Sequence, residues 1–242
     1  MKKSYKGFTL IEVLLAVFLF GIVVSTMFGV YTQILSTVRS TEDDSVVYVM
    51  AKNCMDRILM DLSSVYVLMS ADFKQPDKRK KEVDPEDDPY RFQGESDGDY
   101  SILRFTSYAH VDMNGKQHEG ITQIKYYVTD DANKEDTMVL RRCDSLDLFD
   151  ETEGCKDSDN DPILCEDVAA FKLTYVYYDK TDDDVDREDT WDSEEKDVKY
   201  ATPRAVEVLL KVKDPKNEEG EPLVFETRVT LPIYRSKDKK LL

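Results

Sequence analysis

The first thirty residues carry the strongest hydrophobic pattern in the chain. A short leader with three lysines precedes an apolar run from Phe8 to Val30, which one charge, Glu12, interrupts. As a helix this run is about 34 Å long, enough to cross a hydrocarbon core about 30 Å thick. No Lys or Arg follows until Arg39, so the positive-inside rule leaves the leader in the cytoplasm and exports the rest. Residues 8–30 are therefore predicted to be a transmembrane helix.

A cleavable secretory signal is the alternative interpretation of this pattern. Such a signal has a shorter apolar core, followed by a cleavage site of small residues. Residues 25–34 contain no such site. The sequence therefore favours a permanent single-pass anchor.

Helical periodicity continues beyond the anchor. A second apolar stripe, with steps of three and four residues, runs through Val47, Ala51, Cys54, Ile58, Leu62, Val65 and Met69. The opposite face is assigned to Lys52, Asp56 and Asp61. Residues 31–70 are therefore predicted to form a stem helix that packs on the following domain, and anchor and stem together make one helix of about 90 Å.

The hydrophobic period changes from helical to alternating at Tyr100. Residues 74–99, with three prolines and dense charge, are predicted to be a surface loop. About six alternating segments follow, near residues 102–107, 124–128, 138–142, 171–177, 206–212 and 224–233. With no second helical pattern, they predict an α+β fold in which the long N-terminal helix packs on a mainly antiparallel sheet within residues 71–242.

The charge balance excludes one class of partner. The chain has 33 basic and 50 acidic residues, for a net charge of −17. Nucleic-acid affinity comes largely from Lys and Arg that neutralise phosphates, so no nucleic-acid partner is expected. The acidic surface favours solubility, with divalent cations or basic protein surfaces as candidate partners.

Residues 6–13, Lys-Gly-Phe-Thr-Leu-Ile-Glu-Val, resemble the prepilin signature of type IV pilins and type II secretion pseudopilins. The resemblance implies that a prepilin peptidase removes the leader, residues 1–7, between Gly7 and Phe8 and then N-methylates Phe8. In that family the glutamate matching Glu12 pairs with the N-terminal amine of a neighbouring subunit during assembly. The alternative is that Glu12, only about 6 Å from the new terminus, reaches the membrane interface.

The later part of the chain carries a narrower resemblance. It resembles the J-type minor pseudopilin through Phe171-x-Leu-x-Tyr, a Tyr-Tyr-Asp turn, Trp191, Pro203-Arg-Ala-Val-Glu-Val and Leu231-Pro232. This implies a pilin-like fold, anchored in the inner membrane with its C-terminal domain in the periplasm. It also implies a place at the pseudopilus tip, with I- and K-type minor pseudopilins and other pseudopilus subunits as partners. The function implied is initiation of pseudopilus assembly for export of folded periplasmic proteins.

Four cysteines in an exported chain predict disulfide chemistry. Cys143 ends one predicted strand and Cys165 starts the next, which favours a Cys143–Cys165 bridge. Cys143–Cys155 is the competitor. Cys54 lies on the apolar stripe and is expected to be a buried small hydrophobic residue.

Candidate chemistry elsewhere is sparse. Asp157, Asp159 and Asp161 are weak calcium candidates because hard cations favour carboxylate oxygens, although the EF-hand glycine and final carboxylate are missing. No cofactor is expected, with calcium as the remaining candidate. The two histidines, His110 and His118, lie near no nucleophile motif, and no phosphate loop or zincin motif occurs. The protein is therefore not expected to be an enzyme.

Two other functions remain open. The chain could be a minor type IV pilin that primes pilus assembly, which co-purification with pilus subunits would distinguish. It could instead be a membrane-tethered periplasmic module that binds calcium or another ligand. That function predicts full activity with the leader uncleaved and Glu12 replaced.

Overall fold

The computed structural model describes residues 9–67, 90–111, 120–132, 134, 136–146, 155–178, 185–195, 198, 201–214, 220–233 and 235, with the side chains of 35–45 excepted. This part of the chain contains one helix, α1 (Leu10–Ser63), and ten strands. The strands are β1 (Gln93–Asp97), β2 (Tyr100–Ser107), β3 (Thr122–Asp130), β4 (Met138–Ser145), β5 (Ile163–Cys165), β6 (Val168–Tyr178), β7 (Val185–Glu188), β8 (Trp191–Asp192), β9 (Ala205–Val212) and β10 (Leu223–Thr230).

The chain divides into two compact units, Met1–Val46 and Val47–Leu242, so the division falls inside the predicted stem. In the first unit, the segment Leu10–Ile34 of α1 is long and apolar enough to span a membrane. All its side chains are exposed, with no packing partner in the described part of that unit. An apolar helix of this kind is stable where lipid replaces water around it.

In the second unit, the remainder of α1 buries one face. The residues of the predicted stripe that the structure describes beyond Val47 are almost completely buried: Ala51, Cys54, Ile58, Leu62 and Val65. Met69 lies outside the described residues. The assignment of Asp61 to the solvent face is wrong, because its side chain is fully buried. Asp61 follows Ile58 by three residues and Cys54 by seven, and these spacings place it on the buried face.

The helix ends at Ser63, before the predicted end of the stem at residue 70. Val65 instead forms an antiparallel bridge with Ser107 of β2. The Ser107 hydroxyl donates to the backbone carbonyl oxygen of Asp61 at 2.9 Å and to that of Ser64 at 3.0 Å, at the end of the helix where carbonyls lack regular helical partners. Strand β2 thus terminates the helix by satisfying its last carbonyls and pairing with the chain that leaves it.

The strands form one sheet in the order β10-β9-β6-β2-β3-β4-β5, with β1, β7 and β8 paired off this path. All pairs are antiparallel except β2 and β6, which run parallel. The prediction of an α+β fold with a mainly antiparallel sheet is confirmed as to fold class and strand direction. Four short strands, β1, β5, β7 and β8, were not predicted, and β1 lies in the predicted loop 74–99.

The unpredicted strand β1 shows why short strands escape a pattern search. Its sequence, Gln-Gly-Glu-Ser-Asp, has no apolar alternation, and only Gly94 is buried. The ring of Tyr175 covers Gly94 so closely that a Cβ atom there would overlap the Tyr175 hydroxyl. Backbone pairing with β2 and this close approach, rather than an apolar face, hold β1 in place.

The core lies between the buried face of α1 and one face of the sheet. Its largest fully buried side chains from the sheet are Tyr126, Tyr175, Phe105, Phe171, Leu103, Ile124, Leu140, Leu173 and Leu210. Trp191, the single tryptophan, is buried at the edge of this core, 5.3 Å from the ring centre of Tyr177. Its fluorescence is therefore a local reporter of folding of the second unit.

Truncating the helix on its buried face should destabilise the second unit. We expect Ile58→Ala to lower the free energy of unfolding by about 2–4 kcal/mol, because it removes a fully buried side chain and leaves a cavity. Urea unfolding of the full chain in detergent, followed by Trp191 fluorescence, measures this loss. The control is Leu59→Ala, one position along but 39% exposed, which should change the free energy by less than about 1 kcal/mol. Equal losses in the two variants would contradict this packing of α1.

Candidate functional site

The N-terminus of α1 carries a reciprocal cap. The Glu12 carboxylate accepts hydrogen bonds from the backbone N–H of Thr9 at 2.9 Å and from its hydroxyl at 2.8 Å. The Glu12 N–H in turn donates to the Thr9 hydroxyl oxygen at 3.4 Å. This is a capping box, in which two residues three apart satisfy each other's free donors at a helix start. Glu12 is also the only charged residue between residues 9 and 34.

The predicted processing site lies next to this cap. Gly7 and Phe8, the residues of predicted cleavage and methylation, lie outside the described residues. Thr9 directly follows Phe8, so the cap begins one residue after the predicted new N-terminus. The start of the helix, the one charge of its apolar segment and the predicted processing site therefore fall within six residues of sequence, from Gly7 to Glu12.

A second polar site lies between α1 and the sheet in the second unit. We call it the stem–sheet cluster: Arg57 and Asp61 of α1, Tyr126 of β3, and Arg142 and Asp144 of β4. Asp61 accepts from Arg142 Nε at 2.6 Å, from Arg57 Nη2 at 2.6 Å and from the Tyr126 hydroxyl. Arg142 Nη1 also donates to Asp144 at 2.8 Å. Two arginines and two aspartates thus balance their charges beneath the helix.

Groups on other segments of the chain also form hydrogen bonds with the cluster. The backbone carbonyl of Ala109 accepts from Arg142 at 3.1 Å and from Arg57 at 2.5 Å. Asp144 also lies 2.8 Å from His110 Nδ1 and accepts from the Thr122 hydroxyl. His110 is thus occupied in this cluster, while His118 lies outside the described residues. A buried ion pair stabilises a fold only when its remaining hydrogen-bonding groups are also satisfied. These contacts satisfy Arg142 and the two aspartates, whereas Arg57 Nε is buried without a hydrogen-bond partner in the described part of the chain.

The environment also sets the protonation of the cluster. Burial, together with the neighbouring Asp61, raises the pKa of Tyr126 well above its usual value, so its hydroxyl stays protonated and donates to Asp61. Burial alone would raise the pKa of Asp144. Hydrogen bonds from Thr122, His110 and Arg142 outweigh that effect and lower the Asp144 pKa below its usual value. Asp144 is therefore held as a carboxylate.

Sequence reasoning did not find this cluster, although two signals point to it. Asp61 has helical spacing with the buried stripe. Arg141 and Arg142 are adjacent in the middle of β4, so each must point to a different face of the sheet. Arg142 pairs in register with Tyr126, so both lie on the helix face. An arginine on that face needs a buried acid, which Asp61 supplies.

The other face of β4 carries the disulfide. The structure has Cys143–Cys155, with Cα atoms 5.6 Å apart, so the predicted Cys143–Cys165 bridge is wrong and its competitor is present. The reason is the alternation of strand faces. Cys165 pairs in register with Leu140 and lies in the core on the helix face. Cys143 follows Leu140 by three residues and packs on the opposite face with Tyr127.

The segment after Cys155 contains the three calcium candidates. Asp157 forms an ion pair with Lys125, and Asp161 accepts from the Tyr127 hydroxyl at 2.8 Å. Arg141 donates to the backbone carbonyls of Asp159 and Asp161 at 3.0 and 2.6 Å. Within the described ranges, no three His, Cys, Asp or Glu side chains converge as metal ligands. Here Lys125 and Arg141 supply positive charge to these oxygens.

Comparison with known families gives two matches. The family model described as type II secretion system (T2SS), protein J, matches residues 52–218, more than half of the chain. The prokaryotic N-terminal methylation motif matches residues 2–28. The first match contains the stem–sheet cluster and the disulfide, and the second contains the Thr9–Glu12 cap. No curated protein matches the chain.

Breaking the cluster on its helix side should destabilise the second unit strongly. We expect Asp61→Asn to cost about 3–5 kcal/mol, because it removes one of the two carboxylates that compensate the charges of Arg57 and Arg142. The matched control is Asp56→Asn, which removes an exposed ion pair to Lys52 and should cost less than about 1 kcal/mol. Urea unfolding read by Trp191 fluorescence compares the two variants.

The double variant Asp61→Leu/Arg142→Met separates the charge from the packing. Replacing both members of a buried pair by apolar residues is often neutral, so it should recover most of the loss. A double variant as unstable as Asp61→Asn would contradict this explanation.

The low pKa of Asp144 should appear in the pH dependence of stability. The folded state favours the carboxylate, so its contribution is present above the unfolded pKa of about 3.9 and is lost as the pH falls through the lower folded value. We expect the urea midpoint to fall below about pH 4. The Asp144→Asn variant, although less stable at pH 7, should lose less between pH 7 and pH 3. Parallel losses in wild type and variant would show that Asp144 is not a source of the acid sensitivity.

Proposed function

Because this chain belongs to the family of type II secretion system protein J, it is a minor pseudopilin of that system, and we propose that it acts as a non-catalytic structural subunit at the pseudopilus tip. The observation that carries this proposal is the family match over residues 52–218, joined to the N-methylation motif over residues 2–28. The apolar segment Leu10–Ile34, the one candidate span among the described residues, anchors the protein in a membrane. Its proposed role there is to help initiate pseudopilus assembly for export of folded periplasmic proteins.

The proposed topology places the leader in the cytoplasm and the second unit in the periplasm. Three lysines lie in residues 1–7, and the spanning segment Leu10–Ile34 contains one charge. The Cys143–Cys155 disulfide suits an oxidising compartment on the far side of the inner membrane. On this topology a prepilin peptidase cuts between Gly7 and Phe8 and methylates the new amine of Phe8.

Glu12 is the proposed assembly residue. A charged carboxylate within a lipid-facing helix costs about 2.5–3.5 kcal/mol on insertion scales, so it should have a partner. In the single subunit its hydrogen-bond donors are the neutral groups of Thr9. The cationic amine at Phe8 of a neighbouring subunit is a stronger partner, because it adds the attraction between opposite charges, which is large where water is excluded. Exchange of the local cap for this ion pair would draw subunits together in register.

The second unit is proposed to be a pilin-like head that the stem–sheet cluster joins to the helix. Asp61 and Arg142 hold α1 on β4 at 2.6 Å, so displacement of the stem also displaces the sheet. This contact fixes the last turns of α1 on the sheet within the second unit. The proposed partners are the I- and K-type minor pseudopilins and the other pseudopilus subunits.

A pull-down from membranes tests processing and partners together. The full chain carries a tag after Leu242, and mass spectrometry reads both the N-terminal peptide and the co-purified proteins. We expect a methylated Phe8 terminus and I- and K-type partners. A methylated Phe8 with pilus subunits would assign the chain to a type IV pilus instead. An intact Met1 leader would overturn the filament role.

The charge of Glu12 should matter for assembly and not for processing. We expect Glu12→Gln to keep a methylated Phe8 but to lower recovery of pseudopilin partners at least about tenfold, because a charge-assisted pair contributes about 1.5–3 kcal/mol. The control is Thr9→Val, which removes the side-chain half of the cap but keeps the carboxylate, and should retain the partners. Normal recovery of partners with Glu12→Gln would favour the interface location of Glu12.

A further inference from the structure

Two cysteines remain unpaired in the structure, and they lie on the two elements that meet in the core. Cys54 is on α1 and Cys165 ends β5. Their side chains are 1% and 0% exposed, and both belong to the same cluster of buried apolar residues. The known disulfide lies on the opposite face of the sheet, so neither cysteine competes for it.

A hydrogen bond places the end of β5 against this part of the helix. The N–H of Glu166, the residue after Cys165, donates to Sδ of Met50 at 3.5 Å. Met50 lies one helical turn before Cys54, on the same side of α1. Cys165 is in register with Leu140 on the helix face of the sheet. The two cysteines therefore approach each other from facing elements, and the Cys165 side chain lies close enough to Cys54 to raise the pKa of its thiol.

We propose that Cys54 and Cys165 form a second disulfide, which covalently joins the stem helix to β5. This inference rests on the proposed export of the second unit. The oxidant is a protein disulfide of the thiol oxidase class. The thiolate of one cysteine attacks it to form a mixed disulfide, and the other cysteine attacks that bond. Two electrons and two protons pass to the oxidant, which leaves as a dithiol.

The environment of the pair determines when the bond forms. The neighbouring Cys165 thiol, together with burial, raises the pKa of Cys54 well above its usual value, which disfavours the reactive thiolate. Both sulfur atoms are also inaccessible to an external oxidant in the folded domain. Oxidation therefore belongs to the folding stage, before α1 closes over the sheet.

The bond would reinforce the β5 edge of the sheet. Strand β5 has three residues, lies at the end of the strand order and pairs with β4 through an irregular register. A Cys54–Cys165 bond would close the chain over residues 55–164, which includes β1 to β4. Closure of a long loop restricts the unfolded chain and so favours the folded state. It would hold the stem and this edge together independently of the stem–sheet cluster.

Trypsin cleavage places the two cysteine pairs in different peptides, so each disulfide can be detected independently. Cys54 falls in peptide 53–57 and Cys165 in peptide 157–172, whereas Cys143 and Cys155 share peptide 143–156. The full chain is isolated from membranes of its own host, with acid quenching and alkylation of free thiols under denaturing conditions. Non-reducing digestion and mass spectrometry should then find peptide 53–57 linked to 157–172, both without alkyl label.

Alkylated Cys54 and Cys165 would overturn the proposal. If peptide 143–156 is then internally bonded, the domain is exported and only the second disulfide fails. If all four cysteines are alkylated, the proposed export fails as well. The control Cys54→Ser should leave Cys165 alkylated and peptide 143–156 unchanged. A link from Cys54 to any other cysteine would also contradict the assignment.

A reduction series gives a second readout. Reductant should lower the urea midpoint of the wild-type chain by more than it lowers that of Cys54→Ser/Cys165→Ser, which keeps only Cys143–Cys155. Equal shifts in the two proteins would overturn the proposal.

Discussion

The buried ion pair between Asp61 and Arg142 is the contact on which the arrangement of the second unit depends. The apolar faces of α1 and the sheet attract each other, but apolar contacts are not directional, so they leave rotation and sliding of the helix weakly specified. A carboxylate with no exposed surface must meet its guanidinium group, here at 2.6 Å, because an unpaired buried charge costs several kcal/mol. We infer that this pair selects one register of stem on sheet.

Strands β3 and β4 use their two faces for different purposes. Tyr126 and Arg142, opposite each other in register, face the helix and bind Asp61. Tyr127 and Arg141, the next pair, face away and hold the segment after Cys155. Adjacent tyrosines and adjacent arginines therefore serve opposite sides of one hairpin. The stem and the disulfide-bonded segment are positioned by the same backbone, so displacement of β4 would disturb both.

The sequence predicts the elements that have a regular hydrophobic period. It does not predict the features that depend on contacts between segments distant in sequence. The apolar stripe of α1 and the long strands follow from periodicity, and the cysteine positions leave Cys143–Cys155 as the alternative bridge. The charge of Asp61 predicts a solvent-facing residue, whereas its spacing from Ile58 places it on the buried face. The favoured bridge to Cys165 failed because alternation of faces separates it from Cys143. The irregular register of β5, and the polar strand β1, arise from contacts that no single segment encodes.

Asp61 and Glu12 show two solutions to the same physical problem on one helix. Each is an acidic residue in an otherwise apolar stretch of α1. Asp61 finds Arg57 and Arg142 within its own chain, so its charge is compensated before any assembly. Among the described residues, Glu12 has only the neutral groups of Thr9, and the lysines nearest in sequence belong to the leader that processing is proposed to remove. Once the leader is removed, the cation that we propose for Glu12 is the N-terminal amine of a neighbouring subunit. On this proposal the internal pair serves the fold of a single subunit, and Glu12 serves its association with others.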